Sequence, residues 1–301
     1  MTATDFRWPR AEFWAPRRVL GARVVRMITE LDPEHDDAEI AHLVMEVLVP
    51  PVVAHLFYAS GAARTVASPR IAERATRQGT GDQLVRPVVR NADTMTFFSE
   101  LFRRGHRSAE GMAACRRIQD IHRTVGRIRN DDQVFVLSQL ITGDERIARA
   151  LGVTAFAEHH RDALFQFWIG VGKAMRLKDL PETRAELSSW VGDYERRWLE
   201  PTEIGHQACE GYLRGFELSL PRTQRWMARS LFVATMDRTM RDCLSYPALS
   251  TPVAVAWRAC AAGALATTPL RPMRLDSTWT KAFSRVGPEP DLERIGHGTS
   301  G

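Results

Sequence analysis

Lysine is nearly missing from this sequence, which carries it only at Lys173, Lys178 and Lys281, so its basic character rests on arginine. With 41 basic against 36 acidic side chains the formal charge is only +5, and the arginine skew can reflect codon usage as much as chemistry. A nucleic-acid partner would want a basic surface interleaved with aromatics, and the arginine-rich stretches lack them. Cysteine occurs four times, at Cys115, Cys209, Cys243 and Cys260, with no C-x-x-C pair. That spacing excludes a zinc ribbon or a dithiol redox motif and leaves small buried hydrophobes in a reducing compartment. There is no Gly-rich phosphate loop and no Gly-x-Ser-x-Gly nucleophile turn, and His159-His160 lacks the Glu spacing of a di-iron or zinc-peptidase helix.

Long apolar runs are equally scarce. The chain opens on polar residues of mixed charge, without the basic and apolar stretches of an export signal. The most apolar later run, Pro252 to Leu265, is shorter than the roughly 20 residues of a membrane span and contains Arg258, so it reads as a buried helix. The expectation is a cytoplasmic protein with no stable membrane insertion.

Strand signals are also few, whereas apolar residues recur at spacings of three and four through most of the chain, which predicts an all-α fold. Helices are expected from Pro16 to Thr29, from Asp37 towards Val49 with a break at Pro50-Pro51, and from Asn91 to Phe102, where Gly105 ends the element. Further helices follow over Ala109–Ile128, Gln133–Thr142, His160–Met175, Ala185–Leu199, Pro201–Leu213, Thr223–Cys243 and Pro252–Ala266. One helical domain, residues 1–283, is the simplest organisation, with a disordered tail over 284–301 that is rich in Gly, Pro and charge.

On the helix from Ala109, the residues Met112, Cys115, Gln119, His122 and Gly126 share one face, so the His122 imidazole points inward. Such a histidine is either a hydrogen-bonded core residue or the axial ligand of a haem iron, its second ring N–H held by an acceptor. Gly126 would then let a flat macrocycle approach the backbone. Around His122 stand Arg116, Arg117, Arg123, Arg127 and Arg129. They are a solvated basic face, or forks for the haem propionates. Upstream, Arg90, Asp93 and Thr94 sit together at a helix start. They form a cap and surface pair, or, facing a pocket, an acid/base group beside a cation for an anionic oxygen species.

The run from Arg90 to Tyr194 resembles the family of the fungal ER-bound oxygenases of mycophenolic acid biosynthesis and the bacterial rubber oxygenases, or latex clearing proteins. The residues that carry the likeness stand in order. They are Arg90-x-x-Asp93-Thr94, Ile121-His122, Asn130-Asp131-Asp132-Gln133-Val134-Phe135, Phe167-Trp168-Ile169-Gly170-Val171-Gly172, Leu180-Pro181 and Tyr194-Glu195. The resemblance implies a globin-like helical core holding haem b, with the iron on His122, and oxidative chemistry with O2 on an isoprenoid double bond. The sequence departs from the family in places. Asp93 stands where rubber oxygenases have Lys, Gly126 takes the place of an Arg, with Arg127 one residue later, and His160 stands where the fungal relatives have Glu.

The resulting expectation is a haem b oxygenase that acts with O2 on a small hydrophobic, prenylated metabolite. His122 is the iron ligand, Arg90, Asp93 and Thr94 line the distal side, and Arg123 and Arg127 meet the propionates. The alternative is a helical protein that binds haem or a hydrophobic ligand without turnover.

Overall fold

The computed structural model describes residues 11–124, 126, 128–284 and 290–295. Fifteen α-helices run through these residues, and a two-stranded antiparallel ribbon, Arg18–Leu20 against Pro272–Arg274, is the one sheet among them. The fold is all-α. The first helix, α1 (Gly21–Thr29), starts later than the sequence suggests, because residues 18–20 are drawn into that ribbon. Next come α2 (Asp37–His42), which continues into a π-type turn over Leu43–Leu48, and then α3 (Pro51–Thr65). The two stretches meet at 112°, at the Pro50-Pro51 pair that lacks the N–H groups to carry a helix on.

After α4 (Pro69–Thr76) the expected loop contains a short helix, α5 (Asp82–Val85), and α6 (Pro87–Arg104) follows at once. Gly105 ends α6 with φ +67. In α7 (Ala109–Thr124), Ser108 accepts the Gly111 N–H at 2.8 Å and so closes one of the free donors of the first turn. The helix stops short of the predicted Ile128, and Gly126 lies beyond it at φ +96. Its glycine therefore serves a left-handed turn and is not part of a helical face, which corrects the reading of Gly126.

The longest helix, α8 (Asn130–Ala150), is followed by α9 (Glu158–Ala174), α10 (Arg184–Trp198) and α11 (Glu203–Ser219). Gly170 shows why the α9 motif contains glycine. A Cβ there would come within 2.0 Å of the His106 ring, which is held in place by a 3.0 Å bond to buried Asp37. One continuous apolar core runs from Phe13 to Trp279, with Phe102, Phe135, Phe167, Phe216 and Phe232 almost fully enclosed. Each such ring contributes roughly 1.5–3 kcal/mol by leaving water.

The expected helix over Thr223–Cys243 is broken into α12 (Ala228–Ala234) and α13 (Arg238–Leu244), where Asp237 caps the second by accepting the Met240 N–H. The apolar run beyond it forms α14 (Thr251–Thr267), and a last short helix is α15 (Trp279–Phe283). No residue of α14 is buried, which overturns the expectation of a core helix over Pro252–Leu265. Its average hydropathy is high on every side, so composition carried no sign of which side meets the protein. It touches the body through Trp257, whose indole N–H donates to Ser230 Oγ at 3.2 Å. With the turn that follows, Thr251–Leu270 is twenty residues long and apolar enough, by length and composition, to cross a membrane. Within the tail expected to be disordered, Leu292–Arg294 instead form a turn, and Arg117 donates to the carbonyls of Leu292, Glu293 and Ile295.

Candidate functional site

His122 sits in the last turn of α7, beside the start of α8. That junction is built by the Asn130–Gln133 segment. The Asn130 side chain pairs in both directions with the backbone of Lys178, at 2.8 Å each, and ties the start of α8 to the loop after α9. Asp131 and Asp132 both meet Arg70, and Asp132 also accepts the Tyr194 hydroxyl at 2.6 Å. This run thus has a structural part, with charges clamped on one side and Gln133 presented on the other.

Gln133 fixes the state of the histidine through a chain of amides. Gln119 Nε2 donates to the Met175 carbonyl at 3.1 Å, which settles the orientation of that amide. The same nitrogen donates to Gln133 Oε1 at 3.0 Å, so this oxygen is an acceptor. His122 Nδ1 lies 3.3 Å from that oxygen and must carry its proton there. Nε2 is left as the lone-pair nitrogen, with no hydrogen-bond partner among the described residues. Burial, the largest influence, pushes the His122 pKa below the usual histidine value, and the Arg90 charge adds to this against the pull of Gln133. The imidazole is therefore neutral, as a metal ligand must be.

Arg90, Asp93 and Thr94 share one turn of α6, and the Thr94 hydroxyl donates to the Arg90 carbonyl at 3.0 Å. The Arg90 guanidinium is close enough to depress the His122 pKa, so the structure brings α6 and α7 together at one place. Its own pKa is raised. Burial works against its charge, but the oxygens of Tyr58, Tyr212 and Asp93 outweigh that. His122, Arg90, Asp93 and Thr94 each keep some accessible surface. For His122 and Arg90 loss of water is nonetheless the strongest influence on ionisation. Arg90 lies against two buried aromatic residues. They are Tyr58 and Tyr212, with ring centres 6.2 Å apart, and the contacts Tyr58–Phe98 and Phe98–Trp168 continue this aromatic wall.

Arg123 is not part of this group. It faces solvent and pairs with Asp120 at 2.7 Å, as a residue of the solvated basic face does. Arg127 lies outside the described residues. Sequence reasoning missed the part played by Gln119 and Gln133 and the two tyrosines, and, further along α8, the burial of Asp144. Asp144 shares the Gln133 side of α8 by helical spacing. Burial pushes its pKa up to about 7, and it has no hydrogen bond or ion pair among the described residues. Gln133 stood inside the quoted run and Gln119 on the His122 face; the tyrosines have no local signal.

The donor set suits haem. Among the described residues no group of three His, Cys, Asp or Glu could hold a metal ion. A single neutral histidine with one nitrogen locked and the other open is what a metal already ringed by four porphyrin nitrogens requires from its protein. A well-formed cleft lies elsewhere, against the second half of α8, and His122 is not among its lining residues.

Comparison with known proteins follows this geometry. The family model described as ER-bound oxygenase mpaB/B'/Rubber oxygenase, catalytic domain, matches residues 38–268, about three quarters of the chain. No curated protein matches it.

Proposed function

From the premise that this chain belongs to the family of ER-bound oxygenases and rubber oxygenases, we propose that it is a haem b-dependent oxygenase acting with O2 on a small hydrophobic, prenylated metabolite. The observation that carries the reading is the locked imidazole, with Nδ1–H on Gln133 Oε1 and Nε2 unengaged. His122 would hold the iron through Nε2. When bound, the haem supplies the activation of O2 that no side chain can provide.

The protein's own residues do the rest. Gln133, turned by Gln119, keeps the His122 ring in one tautomer and one orientation. Arg90 contributes a fixed positive charge towards an anionic oxygen, and Asp93, one turn away on α6, holds or gives a proton. Thr94 is tied to the Arg90 backbone and keeps that turn in shape. The wall of Tyr58, Tyr212, Phe98 and Trp168 excludes water and offers an apolar bed to an isoprenoid chain.

The test is spectroscopic and then kinetic. Protein loaded with haem shows a Soret band, and His122→Ala loses it while its far-ultraviolet helical signal stays; full haem content in the variant would remove His122 from the site. Oxygen uptake with a prenylated aromatic then separates an oxygenase from a binder that gives the Soret band but consumes no O2.

A further inference from the structure

The cleft against the second half of α8 has a volume of about 750 Å³, within the range of small-molecule sites, and has no part in the reading above. Gln133 and Glu145 are twelve residues apart on one helix, about 18 Å along its axis, so the two regions are separate. Apolar side chains form the floor, among them Ile141, Leu151, Val191 and Val233. Over this floor stand six arginines, Arg146, Arg149, Arg161, Arg184, Arg241 and Arg258.

Their carboxylate partners are shared and run short. Glu145 serves both Arg149 and Arg161, at 2.8 and 2.9 Å. Glu158 serves both Arg161 and Arg184, Asp162 also meets Arg184 at 2.7 Å, and Glu195 serves Arg146, so the shortfall falls on the other two arginines. Arg241 donates to the Met236 carbonyl at 2.7 Å and meets no carboxylate among the described residues. Arg258, exposed on α14, has no hydrogen bond or ion pair among them. The Arg161 Nε is buried without a partner. Arg146 has its pKa lowered, by burial first and then by the Arg64 charge, which marks a place where positive charge is crowded.

We propose that this cleft is a second binding site, for an anionic amphiphile whose phosphate or carboxylate head is gripped by Arg241 and Arg258 while its hydrocarbon part lies on the apolar floor. Guanidinium forks match both kinds of head by paired hydrogen bonds. Helix α14 contributes Ala254 and Arg258 to the cleft wall, beside Trp257 and Ala261, which pack against the core.

Calorimetric titration of the full chain with decyl phosphate, decanoate, decanol and inorganic phosphate, below any micellar concentration, tests the site without reference to haem. Decyl phosphate or decanoate is expected to bind at least tenfold more tightly than decanol and than inorganic phosphate, and which of the two is tighter identifies the head. Arg258→Glu, a change at an exposed residue without partners, is expected to weaken the better ligand at least tenfold, and His122→Ala to leave it unchanged. Equal binding of decanol, an unaffected Arg258→Glu protein, or loss of binding in His122→Ala would each overturn the proposal. Loss of the Soret band in His122→Ala bears on the oxygenase reading alone, so the two fail separately.

Discussion

Helix α8 separates two regions that solve the burial of polar groups in different ways. On the His122 side a chain of neutral groups stands beside the Arg90 charge, and each amide hydrogen bond fixes the direction of the next, from Met175 through Gln119 and Gln133 to the imidazole. On the other side the groups are ions. Arg64 holds Glu195 through two nitrogens at 2.9 Å each and Asp237 at 2.6 Å, and Arg146 adds a second cation to Glu195. A neutral chain leaves a lone pair free for a ligand at little electrostatic cost, whereas an ionic seam is stable only while its charges are matched. The first region suits an uncharged macrocycle face. The second, with arginines in excess at its edge, suits an anion.

The largest effect is expected from breaking the ionic seam. Arg64→Ala leaves Glu195 with Arg146 alone and the half-exposed Asp237 without its cation, and should destabilise the protein by about 2–3 kcal/mol, read from urea unfolding. A loss under 1 kcal/mol would mean that solvent already screens the network. On the neutral side Gln133→Leu removes the acceptor that fixes His122 and should weaken haem binding about 10–100-fold with little loss of stability. Unchanged haem affinity would show that the tautomer is set by something else.

Acid should distinguish the regions too. His55 and His160 have their pKa values lowered to about 4, mainly by burial, and His122 is lowered as well. An unfolded chain takes up these protons below about pH 6.5 and the folded one does not, so these groups reduce stability as pH falls from about 6.5 towards 4. Asp144 works in the opposite sense. With its pKa raised to about 7, it costs stability as pH rises above the ordinary carboxylate range. The Asp144→Asn protein should therefore be more stable than the parent at pH 7 and lose stability more steeply between pH 6.5 and 4.5. The seam should outlast both, since Asp237 has its pKa lowered, burial notwithstanding, by Arg64 and the Met240 N–H. Its contribution is present above the ordinary carboxylate pKa and is lost only as pH falls through a still lower value. Urea midpoints across that range, with and without Asp144→Asn, check the signs.

The smallest effect belongs to α14. Val255 is 54% exposed, so Val255→Ser should change stability by no more than about 0.5 kcal/mol. A larger loss would mean that the helix is covered in solution.

The helical class, the inward-facing His122 and the family likeness were legible from the chain because they depend on neighbours in sequence. Three-and-four spacing, prolines and caps act within a few residues, and Pro50-Pro51 and Gly105 took the places expected of them. Reading stopped where one periodicity fits two environments. The hydropathy of Pro252–Leu265 predicted a buried helix, and the fold left it exposed, because apolar content on all sides does not say which side finds a partner. Arg123 shared the basic stretch around His122, yet its position at the end of α7 turned it to solvent and Asp120.

What the sequence alone determined is thus the set of helices and the side chain able to ligate a metal. Tertiary structure decided which atom of that side chain is free, since the acceptor on Gln133 reaches His122 only when α7 and α8 meet. It also gathered arginines from position 146 to position 258 around one cleft. Both outcomes turn on distances of a few ångströms between residues far apart in the chain, and local spacing carries no measure of those.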